Sequence, residues 1–342
     1  MDATTNKPCV SVLMPSLNVG KYIRQSLESV INQTLEDIEV ICIDAGSTDG
    51  TLEIIQELAS QYPNVSVLAS PVKSYGAQMN LGLAAAQGEY IGIVETDDYI
   101  DSDAFEKLYR LAADNGCDIA KANRYSLCEA SDEYVEVLRG LPYNRVFKPV
   151  PDLPNIFNPA PCIWTAIYKR DFLIDNRIDF LESPGASFQD TGFVYKTYLA
   201  AEKMILTHDA FLHYRIDNEN SSVKSSQKVF CVMDEFASID RFLAERPEVR
   251  TQIWDKYCEL RFRTYQWNAT RLEKPEYDQF MRAFAEELLS FDAPLQFSDK
   301  CLSEQQRQLY RELLPPIEKA GSDQSLLGKI KTRLTARLFS NR

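Results

Sequence analysis

From residue 9 to residue 123 short apolar runs alternate with segments of helical period. Cys9-Val-Ser-Val-Leu-Met14 reads as a strand buried on both faces, ended by Pro15-Ser-Leu-Asn18. A helix is predicted over 21–32, with Ile23, Leu27, Val30 and Ile31 on one face. Strand 38–43 leads into Asp44-Ala-Gly-Ser-Thr-Asp49, where Gly46 permits a turn and Ser47, Thr48 or Asp49 caps the next helix, 51–62. Strand 65–69, helix 76–86 closed by Gly88, strand 90–94, helix 103–115 and strand 118–123 follow. Such alternation specifies an α/β fold, a mostly parallel sheet with helices on both faces. The dinucleotide pattern G-x-G-x-x-G is missing after the first strand, where Pro15-Ser-Leu-Asn-Val-Gly20 stands, and so is the P-loop motif.

One strand ends in a crowd of acids. After the apolar run Tyr90 to Val94 come Glu95, Asp97 and Asp98. Carboxylates this close repel unless a cation sits among them, and hard oxygen ligands suit Mg2+ or Mn2+. They also lie at the carboxyl end of a strand, where open α/β sheets bind ligands. Taken alone, the same residues also read as a solvated acidic turn.

The net charge of −13 argues against a nucleic-acid partner. The eight cysteines, scattered from Cys9 to Cys301, contain no C-x-x-C pair, so reduced thiols in a cytoplasmic protein are expected. Residues 1–8 are polar, which predicts no signal peptide, and no apolar run approaches the roughly 20 residues of a membrane span.

Several short stretches now combine. Val10-Ser-Val-Leu-Met-Pro-Ser-Leu-Asn18, Asn32-Gln-Thr34, Ile43-Asp-Ala-Gly-Ser-Thr-Asp49, Asn80-Leu-Gly82, Gly88-Glu-Tyr-Ile91 and Glu95-Thr-Asp-Asp98 resemble, in order and spacing, family 2 glycosyltransferases. The resemblance implies the GT-A nucleotide-sugar-binding fold and a bacterial inverting enzyme of surface-polysaccharide or lipid-linked glycan synthesis. It implies an Mn2+ or Mg2+ cofactor at the acidic motif, with Asp97 as direct ligand, Asp98 in support and Glu95 near the ribose or the metal waters. Glu95 departs from the usual aspartate at that position. The resemblance also places Pro15, Ser16, Leu17, Asn18, Asp44, Gly76, Asn80, Thr96 and Arg215 around the nucleotide diphosphate sugar. Leu17 stands where an aromatic is common, and Ala45 where a second aspartate is, which leaves the nucleobase open. Asp44 reads either as a base contact or as a cap for the Ser47 loop.

Beyond residue 125 the pattern weakens. Residues 128–161 collect Pro142, Pro149, Pro151, Pro154, Pro159 and Pro161 and read as a long functional loop or lid. Trp164 reads either as a sugar-stacking ring on the acceptor side or as a core residue. Asp190 opens a helix predicted to run to Ala201 and alone reads as its cap. The resemblance makes Asp190 the catalytic base, beside Gln189 on the acceptor side where a glutamate is usual. His213, Tyr214 and Arg215 resemble the strand that approaches the diphosphate. Arg215 would pair with phosphate oxygens. His213 reads either as a metal ligand or as a structural residue, and Ser221-Ser222 as a loop closing on the donor.

From residue 227 onward the pattern is helical, over 229–243, 249–268, 277–289 and 304–313. Three parts are expected: a transferase domain over 1–225, a helical packing or homodimerisation domain over 226–325, and a tail over 326–342. In the tail Leu327, Ile330, Leu334 and Leu338 form one helical stripe among Lys329, Lys331, Arg333, Arg337 and Arg342. Such a helix on an acidic protein reads as an anchor for an anionic membrane surface, on the inner face of the plasma membrane, where a glycan or lipid-linked acceptor would lie. Packing of the tail on the acidic body is the alternative. Two other functions fit the same residues less closely: a sugar nucleotidyltransferase, and a non-catalytic nucleotide-sugar-binding or scaffold protein.

Overall fold

A computed structural model describes residues 7–128, 131–217, 229–291 and 296–314. Strands β1 (Val10–Ser16), β2 (Ile38–Asp44), β3 (Val65–Ala69) and β4 (Tyr90–Ile93) pair in parallel in the order β3-β2-β1-β4. Helices α1 (Ile23–Ile31), α2 (Thr51–Gln61) and α3 (Tyr75–Ala85) connect them. β1 is buried along its whole length, as strands covered on both faces must be. α1 turns Ile23, Leu27 and Val30 inward against Val12, Val40 and Tyr90 of the sheet core.

The second half of the sheet is mixed. It contains β5 (Tyr99–Ile100), β6 (Ile119–Cys128), β7 (Ser131–Val135), β8 (Ala166–Lys169) and β9 (Met204–Arg215), with α4 (Ala104–Asn115) between β5 and β6. The sheet continues β4-β8-β6-β9-β5, and β7 pairs with β6. β8 runs antiparallel to both β4 and β6, β6 and β9 run parallel, and β5 closes antiparallel on β9. The expected parallel order thus holds from β3 to β4 and gives way beyond it.

Local expectations were met and missed for identifiable reasons. The irregular segment holds β7 and a 3-10 turn at Pro154–Phe157. β5 has two residues, too few to show a period. Gly88 does not terminate α3, which ends at Ala86 in extended conformation. A Cβ on Gly88 would lie 2.4 Å from the Ser11 nitrogen, so this glycine admits β1 at close range.

α5 (Arg170–Asp175) follows β8, and α6 (Gln189–Ala200) is buried almost throughout. Phe193 of α6 stacks on Phe180, with centroids 4.2 Å apart and planes 6° off parallel. Residues α7 (Cys231–Ala244), α8 (Pro247–Ala269), α9 (Glu276–Ser290) and α10 (Glu304–Leu313) complete the described chain.

Two units emerge. One joins the described residues up to 217 with residues 235–252; the other joins 229–234 with the described residues from 253 onward. The division is interleaved rather than a single cut. The second unit has its own core around Phe262, Phe280 and Phe284, and a buried Arg261 that pairs with Glu287 at 2.8 Å. The Ser221-Ser222 loop and the tail 326–342 lie outside the described residues.

Candidate active site

The loops after β1 and β2 are knitted together by side chains. Asn18, at φ 54°, accepts from Thr48 N through Oδ1 at 2.9 Å and donates its own N–H to Ser47 Oγ at 2.9 Å. Thr51 Oγ1 accepts from Val19 N at 2.8 Å, and Asp49 Oδ2 from Gly20 N at 2.9 Å. Asp44 is buried. Its Oδ1 accepts from Gly46 N and Ser47 N at 2.9 and 3.0 Å, and its Oδ2 from Ser47 Oγ at 2.5 Å. Asp44 therefore caps the Ser47 loop. Leu17 is an exposed large apolar residue at this rim.

Pro15, Ser16 and Thr96 form a scaffold behind that rim. The buried Thr96 hydroxyl donates to the Pro15 carbonyl at 2.7 Å. Gln78 donates to the Ser16 and Ile43 carbonyls at 2.9 and 2.6 Å, so one carboxamide ties the ends of β1 and β2 together.

Glu95, Asp97 and Asp98 follow the end of β4. Tyr75, at the head of α3, donates its hydroxyl to Glu95 Oε1 at 2.6 Å. Burial pushes the Glu95 carboxyl up to about 8; the Tyr75 bond pulls against this, and the charges of Asp97 and Asp190 add to it. Asp98 is 2% exposed. Its Oδ1 accepts from Arg215 N at 2.9 Å, while its Oδ2 is buried with no hydrogen-bond partner. Burial, and then the charge of Asp97, hold Asp98 well above the usual carboxylate range. Arg215 Nε donates to the Asp97 carbonyl at 2.7 Å, and the guanidinium lies 5.0 Å from the Tyr22 ring centroid. Arg215 thus fixes the backbone of the acidic turn. Among the described residues no three metal-capable side chains converge into a preformed cage.

The head of α6 is brought to this end by a clamp. Ser74 Oγ donates to the Ser183 carbonyl at 2.7 Å, and Tyr75 N to the Gly185 carbonyl at 3.0 Å. Asn80 accepts from Phe180 N and donates to Phe180 O and Glu182 Oε1, each at 2.9 Å. A Cβ on Gly76 would lie 2.1 Å from the Leu181 carbonyl oxygen. Gly76 and Asn80 therefore build the clamp: the glycine admits a backbone, and the carboxamide bridges to residues 180 and 182. Gln189 braces the same loop. Its Nε2 donates to Ser183 Oγ and Gly185 O at 2.7 and 3.1 Å and its Oε1 accepts from Ser187 N, so it folds back on its own loop.

Asp190 stands at the second position of α6. The residue preceding the helix is Phe188 at φ 62°, and no side chain caps it, so Asp190 is not the cap. Its Oδ1 accepts from Thr191 N at 2.7 Å. Burial pushes this carboxyl up to about 6, against the pull of the Thr191 N–H. Its charge reaches Glu95 and Tyr75.

His213 is held by two carboxylates other than those of the acidic turn. Its Nδ1 meets Asp132 Oδ2 at 2.9 Å and its Nε2 meets Asp101 Oδ1 at 3.1 Å. The ring stacks between Tyr99 and Tyr125, at 4.2 and 4.9 Å. Trp164 is half-buried and stacks on Tyr214, with centroids 5.0 Å apart.

Residues 11–175 match the model of glycosyl transferase family 2. The glycosyltransferase GlyA of Streptococcus pneumoniae is 29% identical over 60% of this chain and 30% of its own length. GlyG of the same organism is 30% identical over 60% of this chain and 70% of its own length. An uncharacterized glycosyltransferase of Haemophilus influenzae is 33% identical over 62% of this chain and 80% of its own. The chain belongs to glycosyl transferase family 2. Among solved structures, S. aureus TarS 1-349 with UDP-GlcNAc superposes with a TM-score of 0.65 at 22% identity, over 81% of this chain and 80% of that one. The mannosyltransferase PcManGT of Pyrobaculum calidifontis, in complex with GDP-Man and Mn2+, gives 0.52 at 18%, over 90% and 85%. These likenesses establish the GT-A fold. The chain spans about a third or less of some relatives, including GlyA, and most of others.

Within this family frame, three residues escaped sequence reasoning. Tyr75 and Gln78 hold strand-end groups through partners 20 to 62 positions away. Lys121, 1% exposed on β6, donates to the Cys162 carbonyl and to Thr165 Oγ1 at 2.8 Å, fixing the turn that carries Trp164. Burial pushes its amine down to about 8. A lysine inside the strand pattern Ile119-Ala-Lys-Ala122 is its signal in the sequence.

Proposed function

We propose that this chain transfers a sugar from a nucleoside diphosphate sugar to a hydroxyl of a glycan or lipid-linked acceptor, with inversion and with a divalent cation. One observation carries the reading. A carboxylate cluster containing the buried, unpartnered Asp98 Oδ2 follows β4, within electrostatic reach of a second carboxylate at the head of α6. The complexes of TarS with UDP-GlcNAc and of PcManGT with GDP-Man and Mn2+ support the donor class and the cation.

The donor set fits Mn2+ or Mg2+. Such ions are held by one or two carboxylates together with substrate phosphates, so no all-protein cage is required. Asp97 and Asp98 would hold the ion, and Arg215 keeps their backbone in place. When bound, the cation supplies positive charge against the diphosphate leaving group.

Asp190 is the base. The acceptor oxygen bonds to the anomeric carbon as the bond to the diphosphate oxygen breaks. The hydroxyl proton passes to the Asp190 carboxylate, and the nucleoside diphosphate leaves with the electron pair. A single displacement with one base inverts the anomeric carbon. The clamp from α3 to residues 180–185 sets the reach between Glu95 and Asp190.

Among the described residues no helix is long and apolar enough to cross a membrane. We propose that the basic amphipathic segment 326–342 holds the enzyme peripherally on an anionic leaflet. Liposome co-sedimentation of the full chain against a chain ending at Ser325 tests this.

The test of the main proposal is turnover across a set of nucleotide sugars, with Mn2+ and with EDTA, for the wild type and Asp97→Asn. Transfer that needs Mn2+ and is lost in the variant is the expected result. Undiminished turnover in EDTA would remove the cation. Tight nucleotide binding with no turnover on any donor would make the chain a binding protein.

A further inference from the structure

Arg124 of β6 is a cation without an anion. In a chain of net charge −13 it forms no ion pair among the described residues. Its Nη1 donates to Ser126 Oγ at 2.6 Å and to the Tyr125 carbonyl at 3.3 Å, and its Nε is buried with no hydrogen-bond partner. Leaving a charged donor unmatched is costly, so such a group usually awaits a ligand or a water.

Its surroundings describe the ligand. The guanidinium carbon lies 4.9 Å from the Tyr214 ring centroid and 6.0 Å from that of Trp164. Those two rings are stacked 9° off parallel. Ser126, directly across from Tyr214 in the β6–β9 pairing, adds a hydroxyl beside the guanidinium. The platform adjoins the reacting end of the site. The Cys162 thiol, two residues before Trp164, interacts directly with the Arg124 side chain and lies within electrostatic reach of Asp190, and Tyr214 lies within reach of Asp97 and Asp98. Aromatic faces accept the apolar faces of sugars and polyols. A guanidinium with a neighbouring hydroxyl accepts an oxyanion.

We propose that Trp164, Tyr214, Ser126 and Arg124 form an acceptor subsite for a sugar or polyol unit that carries an anionic group, a phosphate or a carboxylate. The proposal rests on the glycosyltransferase reading for the word acceptor. The subsite itself is a statement about binding, separate from the donor site at Asp97.

The experiment is a binding titration of the whole chain without donor sugar. Glucose 6-phosphate, glucuronic acid and glucose serve as probes, each with and without saturating UDP, read by ligand-observed NMR. The wild type binds at least one charged probe about tenfold or more tightly than glucose, the worth of one charge-assisted contact. UDP does not displace it, and raised salt weakens it. The two charged arms decide between phosphate and carboxylate. In Arg124→Gln the charged probe falls to the affinity of glucose, and Arg124→Lys recovers part of the difference. Equal binding of all three probes overturns the proposal. So does displacement by UDP, which would put the anion in the diphosphate site, and so does a charge preference that survives in a folded Arg124→Gln. Should that variant not fold, the wild-type titration with UDP decides alone. Because no sugar is transferred, an absence of turnover elsewhere would leave this result standing.

Discussion

Tyr75 donates its hydroxyl hydrogen to Glu95 Oε1 at 2.6 Å, joining the head of α3 to the acidic turn after β4. The same tyrosine is bonded through its backbone N–H to the loop that leads into Asp190. One residue therefore bonds both to the acidic turn and to the loop before Asp190.

Tyr75→Phe removes only that hydroxyl. A buried carboxylate oxygen loses its partner, so stability falls by about 1–3 kcal/mol. Donor binding, read by calorimetry with UDP and Mn2+, weakens along with it. Unchanged donor affinity and unchanged urea midpoint would show that Glu95 needs no such tether.

Asp190 yields a prediction with two opposite signs. Its folded carboxyl sits at about 6, above the ordinary value near 4, so the folded state holds the proton more tightly than the unfolded state. The stability from this group is full below about pH 4 and is lost as pH rises through 6. The base works only when ionised, so turnover rises through the same range. Asp190→Asn should cut transfer roughly 10²-fold or more and abolish that limb. Its melting temperature at pH 7.5 should be no lower than that of the wild type. A variant that keeps turnover and melts earlier would return Asp190 to a structural role.

Gly76→Ala tests the clamp. The new Cβ would lie 2.1 Å from the Leu181 oxygen, a backbone atom that cannot swing aside. A loss of about 1–3 kcal/mol in urea unfolding is expected from such overpacking. Transfer should fall further than donor binding, because residues 180–185 lead to Asp190 and not to Asp97. Equal losses in both would place the clamp's effect on the donor side.

His213→Gln separates a structural histidine from a ligand. Both ring nitrogens face carboxylates, of Asp101 and Asp132. Mn2+ affinity, measured by calorimetry with UDP present, should change by less than about twofold, while thermal stability drops. A tenfold or larger loss of Mn2+ affinity would restore the histidine to the metal.

Much of the fold was legible because its signals are local. The apolar run at Val65–Ala69 and the helical period over Glu304–Leu313 needed no distant partner to be read. β5 was not legible, since two residues, Tyr99 and Ile100, carry no period and exist as a strand only through His213 and Leu212. The pairing direction beyond β4 was hidden for the same reason. Periodicity reports which face is buried, not which strand lies alongside.

The site divides along the same line. Sequence alone determined that three acids crowd the end of one apolar strand, that a further acid opens a later helix, and that both belong to one family's order of motifs. Tertiary structure alone decided which polar groups are already occupied. Asp44, Asn80, Gln189 and His213 look like ligand contacts in a list of motifs, and each is also hydrogen-bonded within the protein. Asp98 Oδ2 and Arg124 Nε are left unmatched in the fold, which no sequence pattern showed. A side chain's type sets what bonds it can form. Which of those bonds remain open depends on partners brought close by the fold from tens of residues away, and no local pattern records that distance.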